Sequence, residues 1–387
     1  MIFPETRLAL SGERFTVHYR LVANTDAEAS AVARGICLEQ TVETSDELLA
    51  DDDIRASVVG RLEALESSEP GYYEAAISYA VESSARELTQ LLNVVFGNSA
   101  MQPGIRVLHL DLSPAILRQF KGPRFGRAGL RALLGVTDRP LLGTALKPMG
   151  LSAQNLAELA YQLALGGVDI VKEDHGLTDQ PFAPFAERVP QCADAVARAN
   201  RESGYACIYA PNVTAPADRI LARARQAKAS GAGGIMVAPG LVGWDTLRLL
   251  AEDDTLGLPV LCHPALLGSL AVNPDQGMAH RVTYGQLPRL AGADVTIFVN
   301  YGGRFSFSPD DCRAIITAAE EPRGHVKPIF PMPAGGMTLG RLPEMLEFYG
   351  SEAIFLIAGG LYSRGPDLLA SSREFRRLVE QLVHRRL

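Results

Sequence analysis

The 387-residue chain is 47% hydrophobic and 21% charged, with 36 glycines and 24 prolines, an enzyme-like balance rich in turns that excludes disordered and fibrous classes. Its net charge of −7 gives no electrostatic reason to expect nucleic acid or an anionic membrane, and the basic clusters are short pairs, Arg376-Arg377 and Arg385-Arg386, so an anionic ligand has to be held locally. Five widely separated cysteines read as buried thiols, and with no basic-apolar leader at Met1 to Glu5 and no apolar run of spanning length, a soluble cytoplasmic protein is expected.

The first third does not repeat a strand-helix unit. Phe15 to Val22 alternates like a strand, and Asp26 to Leu38 has helical spacing behind a Thr25/Asp26 cap. Glu74 to Val81, Leu91 to Phe96 and Ile105 to Leu112 read as further strands, which makes this part α+β. Turn formers at Ser113-Pro114 and Lys121-Gly122-Pro123 mark Pro114 to Asp138 as a connection, so the expected domains are 1–138 and 139–387.

From Arg139 onward short apolar strands alternate with helical segments: Leu141 to Leu146, Val168 to Lys172, Ala206 to Ala210, Gly234 to Ala238, Pro259 to His263, Asp294 to Val299, Pro328 to Met332 and Ala353 to Ile357. Eight such strands over roughly 250 residues are the count of a (β/α)8 TIM barrel, whose active site lies at the C-terminal strand ends. A doubly wound open sheet would need a phosphate fingerprint after its first strand, and none is present.

Chemistry collects at those strand ends. Val168 to Val171 runs straight into Lys172-Glu173-Asp174-His175, and alternation puts Lys172 and Asp174 on one face. Two readings stand: Lys172 in an ordinary ion pair with Glu173 or Asp174, or a divalent-cation site in which carbon dioxide has converted the lysine into an anionic carbamate. Lys147 follows the first strand, Asn212 the third and His263 the fifth; Asn212 also suits a turn, and His263 a satisfied rim position. Gly335-Gly336 and Gly359-Gly360 follow the seventh and eighth strands, either as tight turns or as bare backbone for a phosphate.

The run Gly143-Thr144-Ala145-Leu146-Lys147-Pro148, then Gly166 to Asp174, then Gln180-Pro181-Phe182, resembles the large subunit of ribulose bisphosphate carboxylase (RuBisCO), and the chain looks like a form IV, RuBisCO-like relative over nearly its whole length. The resemblance implies an N-terminal α+β domain, a barrel, and a homodimer or higher homo-oligomer with the active site between subunits. It implies that Glu39 is donated by the partner subunit, Lys172 is carbamylated and binds Mg2+ with Asp174, Lys147 abstracts a proton, His263 is the fifth-strand histidine, and Gly335, Gly336, Gly359 and Gly360 hold one phosphate. Departures are equally specific. His175 replaces a metal-binding glutamate and so joins Lys172 and Asp174 as an expected ligand. Met149 stands in the Lys-Pro-Lys motif, Pro264 replaces an arginine, Ile297 replaces a histidine, Arg304 replaces the mobile-loop lysine, and either Asn93 or Val94 takes the place of an asparagine.

With one phosphate cradle kept and one lost, carbon fixation is not expected, and the substrate is a phosphorylated small molecule. The leading expectation is decarboxylation of a phosphorylated 3-oxo sugar acid of the 3-oxo-isoapionate 4-phosphate type, with Arg304 holding the departing carboxylate. The alternatives are a transcarboxylase/hydrolase of the same substrates, an enolase or isomerase of a sugar monophosphate such as methylthioribulose phosphate, and a non-catalytic binding dimer.

Overall fold

The computed structural model describes residues 6–50, 52–303 and 305–385. Its strands, numbered in chain order, are β1 (Arg14–Val22), β2 (Arg61–Glu69), β3 (Tyr72–Ala80), β4 (Ile105–Asp111), β5 (Leu141–Leu146), β6 (Ile170–Glu173), β7 (Ile208–Ala210), β8 (Ile235–Val237), β9 (Val260–Cys262), β10 (Gly277–Met278), β11 (Val295–Val299), β12 (Phe330–Ala334) and β13 (Ile354–Leu356). The chain divides into two units, one running to Lys121 with 267–287 and 323–325 added, the other holding Gly122–Leu266, Pro288–Pro322 and the chain from Val326 onward.

In the first unit β10, β4, β1, β3 and β2 form one sheet in that order, with β1 antiparallel to both β3 and β4. Alternation along β1 buries Phe15, Val17, Tyr19 and Leu21. The helix Asp26–Glu39 starts where expected, with Thr25 accepting a hydrogen bond from Glu28 N. One expectation fails here and one strand goes unanticipated. Leu91 to Phe96 lies within a helix, Leu88–Phe96, because Leu88, Leu91 and Val95 recur on one buried face. Strand β2 was not foreseen, since its residues are largely solvent-exposed and carry no apolar alternation.

The second unit is the barrel. Strands β13, β5, β6 and β7 form one parallel sheet and β12, β11, β9 and β8 another. A parallel bridge between Asn212 and Met236 joins β7 to β8, and β12 lies beside β13, which closes the ring of eight. Its strands are apolar on both faces because the barrel interior and the surrounding helices both bury them. Leu141, Ile170, Ile208, Met236, Leu261, Val295, Ile297, Phe330, Met332 and Ile354 fill the centre. Ile297 is therefore a core residue, 2% exposed, as an apolar side chain within a barrel strand should be. Among the described residues no helix is long and apolar enough to cross a membrane, and the five cysteines are free and buried.

Candidate active site

Strand β6 ends by sorting its charges onto opposite sides. Glu173 is fully buried and its carboxylate accepts from Arg188 Nε at 2.5 Å, Tyr209 Oη at 2.6 Å and the Asn212 amide at 2.9 Å. Arg188 is equally buried and also donates to the backbone oxygens of Ala183 and Thr178. Each guanidinium nitrogen and each carboxylate oxygen of this pair has a hydrogen-bond partner, the condition for a buried ion pair to persist.

The opposite side is open. Asp174 Oδ2 lies 2.9 Å from Lys147 Nζ at the end of β5, and its Oδ1 lies 2.7 Å from His175 Nδ1. Burial alone would raise its pKa, but the hydrogen bonds from His175 and Lys147 hold the Asp174 carboxyl well below the usual carboxylate range. The side chains of Lys147 and His175 are 43% and 54% exposed, so this cluster faces a solvent-accessible mouth. The His175 ring stacks on His263 after β9, with centroids 4.6 Å apart and planes 12° from parallel. Burial, with Lys172 and His175 nearby, pushes the His263 pKa well down, so its imidazole is neutral. The Ala265 amide donates to His263 Nδ1 at 3.2 Å, which leaves Nε2 as the protonated nitrogen.

Lys172 is 3% exposed and its Nζ donates to the Glu173 carbonyl at 2.9 Å. The ion pair at this strand end is thus made by Lys147 with Asp174, across two strands, and Glu173 belongs to Arg188. Burial above all, opposed by Asp174 and aided by Lys147, brings the Lys172 pKa down to about 8.

Asn212 is 2% exposed. Its amide nitrogen donates to His175 O and Leu177 O, and its Oδ1 accepts from Thr214 N. It fixes the turn that carries His175, and its side-chain amide is taken up in doing so. One residue was missed from sequence: Tyr362 Oη accepts from Lys147 N at 3.3 Å and donates to Ala145 O at 3.1 Å, tying the segment after β13 to the base of Lys147. No local pattern could have revealed it, because its partners lie more than two hundred residues away. Met149 is half exposed, with its sulfur 3.7 Å from Gln180 Nε2.

The glycines divide by role. Gly335 and Gly336 have φ of +79° and +69°, the left-handed region that favours glycine. A Cβ on Gly336 would lie 2.7 Å from Gly303 Cα, so backbone packing requires glycine there, while one on Gly360 would lie 3.1 Å from both Met337 O and Ile357 Cγ2, a tight fit. A Cβ on Gly359 would meet nothing within 4 Å. An added Cβ on Gly335 is equally clear, so Gly359 is one of two of these glycines facing open space, and the one of the two without a left-handed φ. Glu39 ends the helix Asp26–Glu39 in the first unit, where it accepts from Asn98 Nδ2 at 2.9 Å. Asn93 and Val94 sit on the helix Leu88–Phe96, with Val94 buried. Arg304 lies outside the described residues.

Among the described residues no three His, Cys, Asp or Glu side chains are arranged to hold a metal ion. Asp174 and His175 supply one hard oxygen donor and one imidazole. A carbamate on Lys172, two residues earlier, would add the missing anionic oxygen, and the lowered pKa makes the neutral, carbon-dioxide-reactive amine more accessible. The donor set therefore fits a divalent cation on condition that Lys172 is carbamylated.

A parallel barrel with a lysine, a carboxylate and paired imidazoles at its C-terminal rim carries its polar groups where α/β barrels place their active sites. Residues 126–380 match the family model of the ribulose bisphosphate carboxylase large chain, catalytic domain. The chain is 41% identical over 363 residues to ribulose bisphosphate carboxylase-like protein 1 of Rhodopseudomonas palustris, covering 94% of this chain and 96% of that protein. It is 38% identical over 350 residues to 5-methylthioribulose-1-phosphate isomerase of Rhodospirillum rubrum, covering 90% and 91%. The crystal structure of octameric RuBisCO from Pyrococcus horikoshii, solved with sulfate, superposes with a TM-score of 0.89 at 27% identity, covering 97% and 90%. The chain belongs to the ribulose bisphosphate carboxylase large-chain family, as a RuBisCO-like member with the N-terminal α+β domain and catalytic TIM barrel of that fold.

Proposed function

We propose that the protein is an isomerase or enolase of a five-carbon keto-sugar monophosphate of the methylthioribulose phosphate type. The observation that carries this reading is the ion pair of Lys147 with Asp174 beside the stacked His175 and His263. An amine on an exposed rim is placed to take a proton from the carbon next to a substrate carbonyl, and the same Nζ can return it to the neighbouring carbon. His263, held neutral, offers Nε2–H as a hydrogen-bond donor that carries no charge of its own.

Lys172 as a carbamate, Asp174 and His175 would hold the divalent cation, with Mg2+ favoured by the oxygen donors. Bound there, the cation would polarise the carbonyl and stabilise negative charge on its oxygen. Asp174 has a second part to play, since whatever draws its carboxylate away releases Lys147 Nζ from its ion-pair partner.

Support for isomerase over decarboxylase chemistry comes from the activity for which the Rhodospirillum rubrum relative is named. Decarboxylation of a 3-oxo sugar acid would pass through the same kind of enolate. It would rest on Arg304. A homodimer in which Glu39 reaches the partner's barrel is part of the same proposal, in keeping with the octamer of the Pyrococcus relative.

The test is to supply 5-methylthioribulose 1-phosphate, Mg2+ and bicarbonate and follow the products by 31P and 13C NMR. A new isomer or enol phosphate with no carbon dioxide released is expected. Inertness toward it, combined with carbon dioxide release from a phosphorylated 3-oxo sugar acid, would replace this reading with the decarboxylase.

A further inference from the structure

The glycine turn after β12 is held from outside by one arginine. Arg341 belongs to the 3-10 turn Leu339–Arg341 that leads into the helix Leu342–Tyr349. Its Nε and Nη2 donate to the two carboxylate oxygens of Glu344 at 2.9 and 2.8 Å. Its Nη1 donates to Gly336 O at 3.2 Å and to Tyr301 O at 3.3 Å. The guanidinium carbon also lies 5.4 Å from the centre of the Tyr301 ring.

The carbonyls it grips belong to two different turns, one after β11 and one after β12. Those turns touch backbone to backbone, because an added Cβ on Gly336 would lie 2.7 Å from Gly303 Cα, and one on Gly303 would lie 3.3 Å from Gly335 O. Such a contact has no side chains to lock it. The guanidinium supplies the lock, since its planar fork can address two carbonyls and a carboxylate at once. Four of its five N–H groups are engaged in these bonds and Glu344 neutralises its charge. This is the geometry of a holder, in contrast to an arginine left free to grip an anion.

We propose that Arg341, with Glu344, is a positioning residue that keeps the 301–303 and 335–336 turns in register, and so sets the affinity of the adjoining glycine backbone for the substrate's phosphate. This rests on the phosphate reading of the glycine turns, and the experiment separates the two. Inorganic phosphate is titrated into the full-length wild type and into Arg341→Met, Arg341→Lys and Glu344→Gln, with binding read by calorimetry. Thermal midpoints are recorded alongside, and KM and kcat are measured with the phosphorylated substrate. A misplacement of about 1 Å is enough for large losses of function. The expectation is phosphate binding weakened about tenfold or more in Arg341→Met, a matching rise in KM with kcat within about twofold, and intermediate values for Arg341→Lys and Glu344→Gln.

Wild-type protein that binds no phosphate would overturn the phosphate reading and this proposal with it. Wild-type binding matched by Arg341→Met would overturn the positioning role alone. If Arg341→Met does not fold, Arg341→Lys and Glu344→Gln decide the matter, and wild-type phosphate affinity in both would overturn the proposal.

Discussion

Glu173 and Asp174 are adjacent carboxylates at the end of one strand, and they have opposite fates. Glu173 is sealed, with Arg188, Tyr209 and a backbone amide answering its oxygens. Asp174 is bound by groups that stay half exposed and can leave it, Lys147 and His175. The difference teaches that a carboxylate with fixed, buried partners anchors the strand, while one with exchangeable partners is available for chemistry.

The largest expected effect breaks the sealed side. Glu173→Ala leaves the Arg188 guanidinium buried without its counter-ion, and a loss of about 3–5 kcal/mol in unfolding free energy is expected from denaturant titration. Arg188→Met should do comparable damage. A loss under about 1 kcal/mol in both would show that the pair does not anchor the strand.

On the open side the effects should fall on turnover. Lys172→Ala is expected to lower bicarbonate- and Mg2+-dependent activity by at least about a thousandfold while leaving the fold intact by circular dichroism. The pH dependence has a defined sign. Carbamylation joins the neutral amine to carbon dioxide, so at a fixed concentration of dissolved carbon dioxide the initial rate of activation should climb as pH rises toward about 8 and level off above it. Activation that slows as pH rises through that range would contradict the carbamate.

Gly359→Ala is smaller in effect and cleaner in meaning, because its Cβ meets no protein atom within 4 Å. Stability should stay within about 0.5 kcal/mol of wild type, while KM for a phosphorylated substrate rises several-fold. Gly360→Val is the poorer probe, since its side chain would press on Met337 O. An unchanged KM in Gly359→Ala would remove the open backbone from the phosphate site. Comparable in size is Tyr362→Phe, which deletes one hydroxyl bridging Ala145 O and Lys147 N. It should cost about 1 kcal/mol of stability and a few-fold in kcat, and an unchanged kcat would detach Tyr362 from the placement of Lys147.

The barrel was legible because its strands are buried on both faces and read as apolar runs between helices, Leu141 to Leu146 matching β5 end to end. Lys147, Lys172, Asp174, His175 and His263 were legible as polar residues directly after such runs. How they pair was not. Alternation along one strand suggests Lys172 with Asp174, but the partner in space is Lys147, delivered by the neighbouring strand. The helix Leu88–Phe96 was hidden because its apolar and β-branched residues imitate a strand over six positions, and the helical spacing emerges only when Leu88 is included. Segment 267–287 groups with the first unit through the pairing of β10 with β4, a contact across about 170 residues that no local pattern encodes. Tyr362 escaped for the same reason.

Proton exchange is the most direct test of Lys147 as the base at an open Asp174. The wild type, Lys147→Met and Lys172→Ala are incubated in D2O with Mg2+, bicarbonate and 5-methylthioribulose 1-phosphate, and loss of the proton beside the carbonyl is followed by 1H NMR. The mechanism predicts exchange in the wild type and its loss by a factor of at least about 100 in both variants. Exchange by Lys147→Met at the wild-type rate would contradict it.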